Sequence, residues 1–403
     1  MKFFLNLSVF ILGIGNMIPA QSQIRTVQCY PVGSPFAEPV IELGSGQQLF
    51  FSFDDLSSET NSYTYKIVHC DPDWNNSNLS SFTYLTGFFS NPLDNYEYSF
   101  NTVVPYTRFT LNLPNEEVGI KLSGNYLLQV YNDQNPDSAV VSQRFAVVEN
   151  KVGIAASVVN STNPTFLYTS QQLNFTVNYT GLQIYNPVRD TRVYVTQNQD
   201  PNSRRNFTPT FVRQNQLVYG NGSDNIFNGL SPFRNFQCSS LVYYTRKGDI
   251  ISSWYLVPFL SVIFRPLIGG GNFYIEAENV QNSDLEADYI VAHFAILYPE
   301  PIPGAEVYIY GKFADWQLLP ELKMDYDVKN KAYVGQAELK QGYYDYMFAV
   351  VPSKEKKPDL VTMQNNFYQT PDEYNIRFYM YDYNVMCFRL LGYQTVGAKP
   401  MGS

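Results

Sequence analysis

Between Tyr63 and Cys70, Tyr63, Tyr65, Ile67 and His69 fall on one face of an extended chain and Thr64, Lys66, Val68 and Cys70 on the other. That period of two predicts a half-buried strand. It recurs at Phe109, Leu111 and Leu113 against Thr110 and Asn112, and at Leu173, Phe175, Val177 and Tyr179 against Asn174, Thr176 and Asn178. Val307 with Ile309, then Tyr374, Ile376, Phe378 and Met380, extend the series towards the carboxy terminus. No window of comparable length keeps an apolar stripe at 3.6 residues, so the chain reads as all-β. Turn residues punctuate these runs: the 24 Gly and 24 Pro lie mostly between them, as in the segments 132–137 and 220–223. The spacing suits hairpin-rich β-sandwiches.

A chain of 403 residues has room for about two to four domains, each with its own core. The apolar run from Phe3 to Ile18, preceded by Lys2 and followed by Pro19 and Ala20, predicts a secretory signal over residues 1–20. Asn6 and Asn16 interrupt it, and it is shorter than the ~20 residues of a membrane-spanning helix. Polar residues Glu149, Asn150 and Lys151 end the first set of strands. Three tandem immunoglobulin-like or sandwich units are expected, at 21–150, 151–283 and 284–403. The last residues, Met401 to Ser403, fit either a native end or an added tail.

Composition narrows the chemistry. The net charge of −9 comes from 27 basic and 36 acidic residues, the basic ones scattered, which argues against nucleic acid as a partner. The 33 Tyr and 29 Phe fit β cores, with a remainder available for contact surfaces. Cys29, Cys70, Cys238 and Cys387 lie outside any Cys-x-x-Cys spacing and read as buried thiols; Cys29 and Cys70 are the one pair expected inside a single domain.

Asp71, Asp73 and Asn75 alternate as calcium ligands do, but Asn76 stands where the loop glycine belongs and Phe82 where the bidentate glutamate belongs. A turn bonded to its own backbone is the better reading, and no metal is expected. The two histidines, His69 and His293, both lie in alternating or apolar runs and read as core residues. His69 and Cys70 point to opposite faces, so they cannot act as base and nucleophile together. There is no phosphate loop, nucleophile elbow or zinc spacing. Paired carboxylates from distant strands stay open as a hydrolase reading, yet the residues favour a protein that is not an enzyme and takes no cofactor. Trp316, after Gly311, fits an edge cap of a sandwich better than a lone sugar platform.

Four pieces in order, Tyr63–Trp74, Tyr84–Phe88, Asn95–Phe100 and Ser123–Tyr131, resemble the amino-terminal domain of the type IX secretion system plug proteins of Bacteroidota. Val307–Trp316 and Leu339–Tyr346 resemble the later part of the same family, whereas Val385–Gly392 follows it only loosely. The resemblance implies a periplasmic, non-catalytic protein that docks on the SprA-type translocon barrel of the outer membrane and seals it. The contact would be with that membrane protein rather than with lipid, and no small-molecule substrate is expected. Trp74, Phe88 and Phe89, each beside a turn, are the candidate partner-binding residues. An exported glycan-binding sandwich is the alternative, and an outer-membrane barrel fits less well because the strands are short and rich in proline.

Overall fold

The computed structural model describes residues 23–58, 61–161, 163–220, 222, 224–240 and 270–398. The expected signal at 1–20 and the tail at 401–403 lie outside them. Among the described residues the fold is all-β, and its α-helices are single turns such as Ser81–Tyr84 and Pro187–Asp190. Each sheet is an open path of strands.

The amino-terminal unit is a sandwich. One sheet pairs Ile24–Pro31, Leu49–Asp55, Thr107–Leu113 and Tyr96–Tyr98; the other joins Val40–Glu42, Asn135–Val148, Gly124–Asn132, Tyr63–Cys70 and Ser90–Pro92. Alternation works as the pattern requires: Tyr63, Tyr65, Ile67 and His69 are all buried. Their side of the sheet meets Phe51, Phe53 and Phe109 in one core, where Phe53 and Phe109 stack at 5.2 Å. Burying such rings supplies most of the driving force for this packing.

The rest of the chain is not divided in the order of the sequence. Strands Gly153–Asn160 and Ser170–Asn178 begin a middle unit, whose second sheet contains Thr191–Gln197 and Asp200–Phe207. The chain then leaves to build a seven-stranded sheet from Arg234–Gln237 to Gly342–Pro352, and returns. The returning strands Glu373–Asp382 and Cys387–Gly397 pair with Thr191–Gln197, and Tyr374, Ile376 and Phe378 enter the core of Leu173, Phe175 and Val193. The units expected at 151–283 and 284–403 therefore share strands: residues 373–397 complete the middle sandwich. The physical reason is that the middle core is unclosed until these strands cover it.

Both crossings between the two units are tied together. Asp372 accepts from Leu230 N at 3.0 Å and Asn198 Nδ2 at 2.7 Å, while Gln171 Nε2 donates to the Thr370 carbonyl at 2.6 Å. These bonds satisfy backbone groups that the crossing would otherwise bury without partners.

Candidate docking surface and the domain junction

Phe88 and Phe89 occupy a turn between Leu85–Gly87, which pairs with Val118–Ile120, and Ser90–Pro92, which pairs with Tyr63–Cys70. Gly87 makes the turn possible. It has φ +83°, and a Cβ there would lie 1.7 Å from the Glu117 carbonyl oxygen. Asn91 Nδ2 donates to the Phe88 carbonyl at 3.0 Å and holds the loop. Phe88 is 76% exposed and Phe89 41%, with Phe82 on the neighbouring helical turn at 78%. Large rings left in water next to a fixed turn are available for contact.

Trp74 is placed differently. It adopts φ +68°, is half-buried, and carries the Arg144 guanidinium over its ring at 4.9 Å. It lines a cavity of about 530 Å³ where the three units meet, together with Arg144, Arg204, Lys312, Trp316 and Arg377; neither Phe88 nor Phe89 reaches it. The structure thus brings Phe88 and Phe89 together and sets Trp74 apart from them. Trp316 is 4% exposed, packed on Tyr310 at 5.3 Å. Gly271, at φ +76°, lets it in: a Cβ there would lie 2.5 Å from the Trp316 ring.

The remaining candidates serve structure. Asp71 Oδ1 accepts from the backbone N–H of Asp73 at 2.8 Å and of Asn75 at 2.9 Å, a turn bonded to itself. Asp73 Oδ1 instead accepts from Tyr194 OH at 2.8 Å and pairs with Arg204 at 2.7 Å, joining two units. Among the described residues no group of three His, Cys, Asp or Glu is arranged to hold a metal. His69 is buried between Tyr84 and Tyr126, with Nδ1 2.9 Å from Ser77 Oγ, and burial pulls its imidazole down to about 4. It is neutral at physiological pH. All four cysteines are free and buried.

The groups that hold the units to one another were not singled out in the sequence. Asp54, fully buried, accepts from Lys340 Nζ at 2.6 Å, Arg108 Nη1 at 3.0 Å and Tyr289 OH at 2.8 Å. Lys340 also donates to the Asp284 carbonyl at 2.7 Å and lies over the Tyr106 ring at 4.0 Å. Asp288 accepts from the N–H groups of Val103 and Val104 at 2.6 and 3.1 Å. The amino-terminal unit is thereby bonded to the inserted one. Its other seam, to the middle unit, has Tyr379 OH donating to Asn125 Oδ1 at 2.8 Å, Arg377 paired with Glu38 and Arg389 paired with Glu149. No spacing in the sequence marks these pairs, because their members lie far apart, as Lys340 and Asp54 do at 286 positions.

Residues 24–149 match the model of the type 9 secretion system plug protein 1st domain. Its amino-terminal unit is a type IX secretion system plug domain. The match supports a role associated with type IX secretion, near the outer membrane, and the matched domain is the one that carries Phe88 and Phe89. The chain is also similar to the crystal structure of a hypothetical protein from Parabacteroides merdae ATCC 43184, with 30% identity and a TM-score of 0.85. That likeness covers 94% of this chain and 98% of the other, so the common fold extends well beyond residues 24–149. No curated protein matches.

Proposed function

We propose that the protein is a non-catalytic periplasmic plug that docks on the SprA-type translocon barrel of the outer membrane and seals it. The match over residues 24–149 carries this reading. Sealing a wide pore asks for a body that does not deform and a surface that grips. Buried ionic and hydroxyl bonds at each seam supply the first, since breaking any of them would strand a charge or a polar group away from water. Phe82, Phe88 and Phe89 supply the second, as aromatic anchors on a fixed turn. Trp74, half-buried under Arg144, would meet a partner only at the domain junction. The contact needed is of ordinary size, about 1,200–2,000 Å² in total, and a patch of a few rings within a polar rim can release again.

Affinity purification of the mature chain, residues 21–403, from membrane extracts of its own cell tests this. Recovery of a very large outer-membrane barrel is the expected result, with at least tenfold less recovered by a Phe88→Ser/Phe89→Ser variant. If the wild-type chain is abundant in the extract and returns alone, or with polysaccharide, the plug reading falls.

A further inference from the structure

The junction cavity is an independent feature. Four cations line it, Arg144, Arg204, Lys312 and Arg377, against two acids, Glu38 and Asp315. Two of the cations are already neutralised: Arg377 pairs with Glu38, and Arg204 with Asp73. Arg144 and Lys312 have no carboxylate within ion-pair distance among the described residues. Arg144 has its guanidinium laid on Trp74 at 4.9 Å, and Lys312 Nζ is held by the amide oxygens of Gln199 and Asn272, both at 2.9 Å. Burial pulls Lys312 down to about 8, so it remains largely protonated at neutral pH, and burial raises the Asp315 carboxyl above its ordinary value. The walls between these charges are flat rings, from Trp74, Trp316, Tyr194 and Tyr379.

We propose that this cavity binds a carboxylate carried on an aromatic or apolar body, with Arg144 and Lys312 holding the carboxylate and Trp74 and Trp316 flanking the body. A guanidinium offers two parallel N–H donors that match a carboxylate, and stacking on an indole fixes the fork before the ligand arrives. About 530 Å³ at a junction of domains lies within the ~300–1,000 Å³ typical of small-ligand sites, which favour such junctions. The carboxylate can come from a free organic acid or from the end of a polypeptide, and both present the same group.

Titration calorimetry and tryptophan fluorescence on the mature chain, residues 21–403, separate these sources. Two of the three tryptophans line the cavity, so occupancy should change the emission. The probes are phenylacetate, a capped tetrapeptide ending in phenylalanine as free acid and as amide, and inorganic phosphate. The expected result is binding of the free-acid peptide, with the amide at least tenfold weaker. Phenylacetate binding as well assigns the site to carboxylates in general, and binding of the peptide alone assigns it to a chain terminus. Arg144→Gln, at a side chain exposed to the cavity, should lower affinity at least tenfold. Trp74→Leu should lower it less while removing part of the fluorescence change. The proposal is overturned if neither acid binds, if the amide or phosphate binds as well as the acid, or if Arg144→Gln binds unchanged. Phe88→Ser should leave this binding as it is, which keeps the test separate from docking on the barrel.

Discussion

The amino-terminal domain shows two kinds of surface. Where it meets the inserted unit, Asp54 is fully buried with Lys340, Arg108 and Tyr289 around it; where it presents Phe82, Phe88 and Phe89, large rings stand in water. The seam inside the molecule is polar at this point and the patch proposed to dock is apolar, the reverse of the usual contrast between interior and exterior. The polar seam gains specificity from geometry: Asp54 accepts three donors at once, Arg108 from its own unit and Lys340 and Tyr289 from the inserted one. The aromatic patch gives up that specificity and gains a surface that costs little to expose or cover. The proposed plug function would use both, since its own units must not part while its contact with a partner must.

The sharpest way to break this contrast is to remove the centre of the polar seam. Asp54→Asn leaves Lys340 facing an amide with no carboxylate in its ion pair, and leaves Arg108 with Asp284 alone at 2.9 Å. We expect a loss of about 3–5 kcal/mol in urea unfolding. Domain-level unfolding should also lose coincidence, with tryptophan fluorescence and circular dichroism giving separate midpoints. A loss below about 1 kcal/mol would mean that the seam is held by its apolar surroundings instead.

A smaller effect, of opposite sign, is expected inside the inserted unit. Burial pushes Asp345 up to about 7, while in the unfolded chain a carboxyl titrates near ~3.9. The folded state therefore binds more protons between these values, and stability attributable to this group falls as pH rises through that window. Asp345→Asn removes the titration without changing the shape. It should stabilise the protein by more than about 1 kcal/mol at pH 8 and leave it nearly unchanged at about pH 3, below both values, measured by urea unfolding at each pH. Equal effects at both values would remove burial of the charge as the cause. Asp200 and Asp372, each pushed up to about 6 by burial, add to the same slope in the wild-type chain.

How much of this was legible beforehand depends on whether the information is local. Alternation at Tyr63–Cys70 and Leu173–Tyr179 named the inward faces of both strands, because the side-chain period of a strand is a local property. The strand Glu373–Asp382 shows the limit. Tyr374, Ile376 and Phe378 face the middle core, but Asn375, Arg377 and Tyr379 between them are buried as well. Tyr379 reaches Asn125 and Arg377 pairs with Glu38, so the second face is covered by another unit. The polar residues that blurred the pattern are interface residues, and nothing near them in the sequence reveals the partner. The same holds for the cavity: Arg144, Arg204, Lys312 and Arg377 are scattered along the chain and converge only when three units assemble. Phe88 and Phe89, by contrast, follow a glycine that requires a turn, and a turn is a local signal.

The smallest expected effect is the one that sharpens the contrast most. Phe88→Ser removes a ring that is 76% exposed and makes no core contact, so urea unfolding should shift by no more than about 0.5 kcal/mol in either direction. The backbone oxygen of Phe88 still accepts from Asn91, so the turn keeps its hydrogen bond. If Phe88 were a structural cap, truncation would instead cost about 1–3 kcal/mol, as burying less apolar surface does elsewhere in the domain. A near-zero change in stability, combined with loss of the barrel from the purification, would separate gripping from folding at a single side chain.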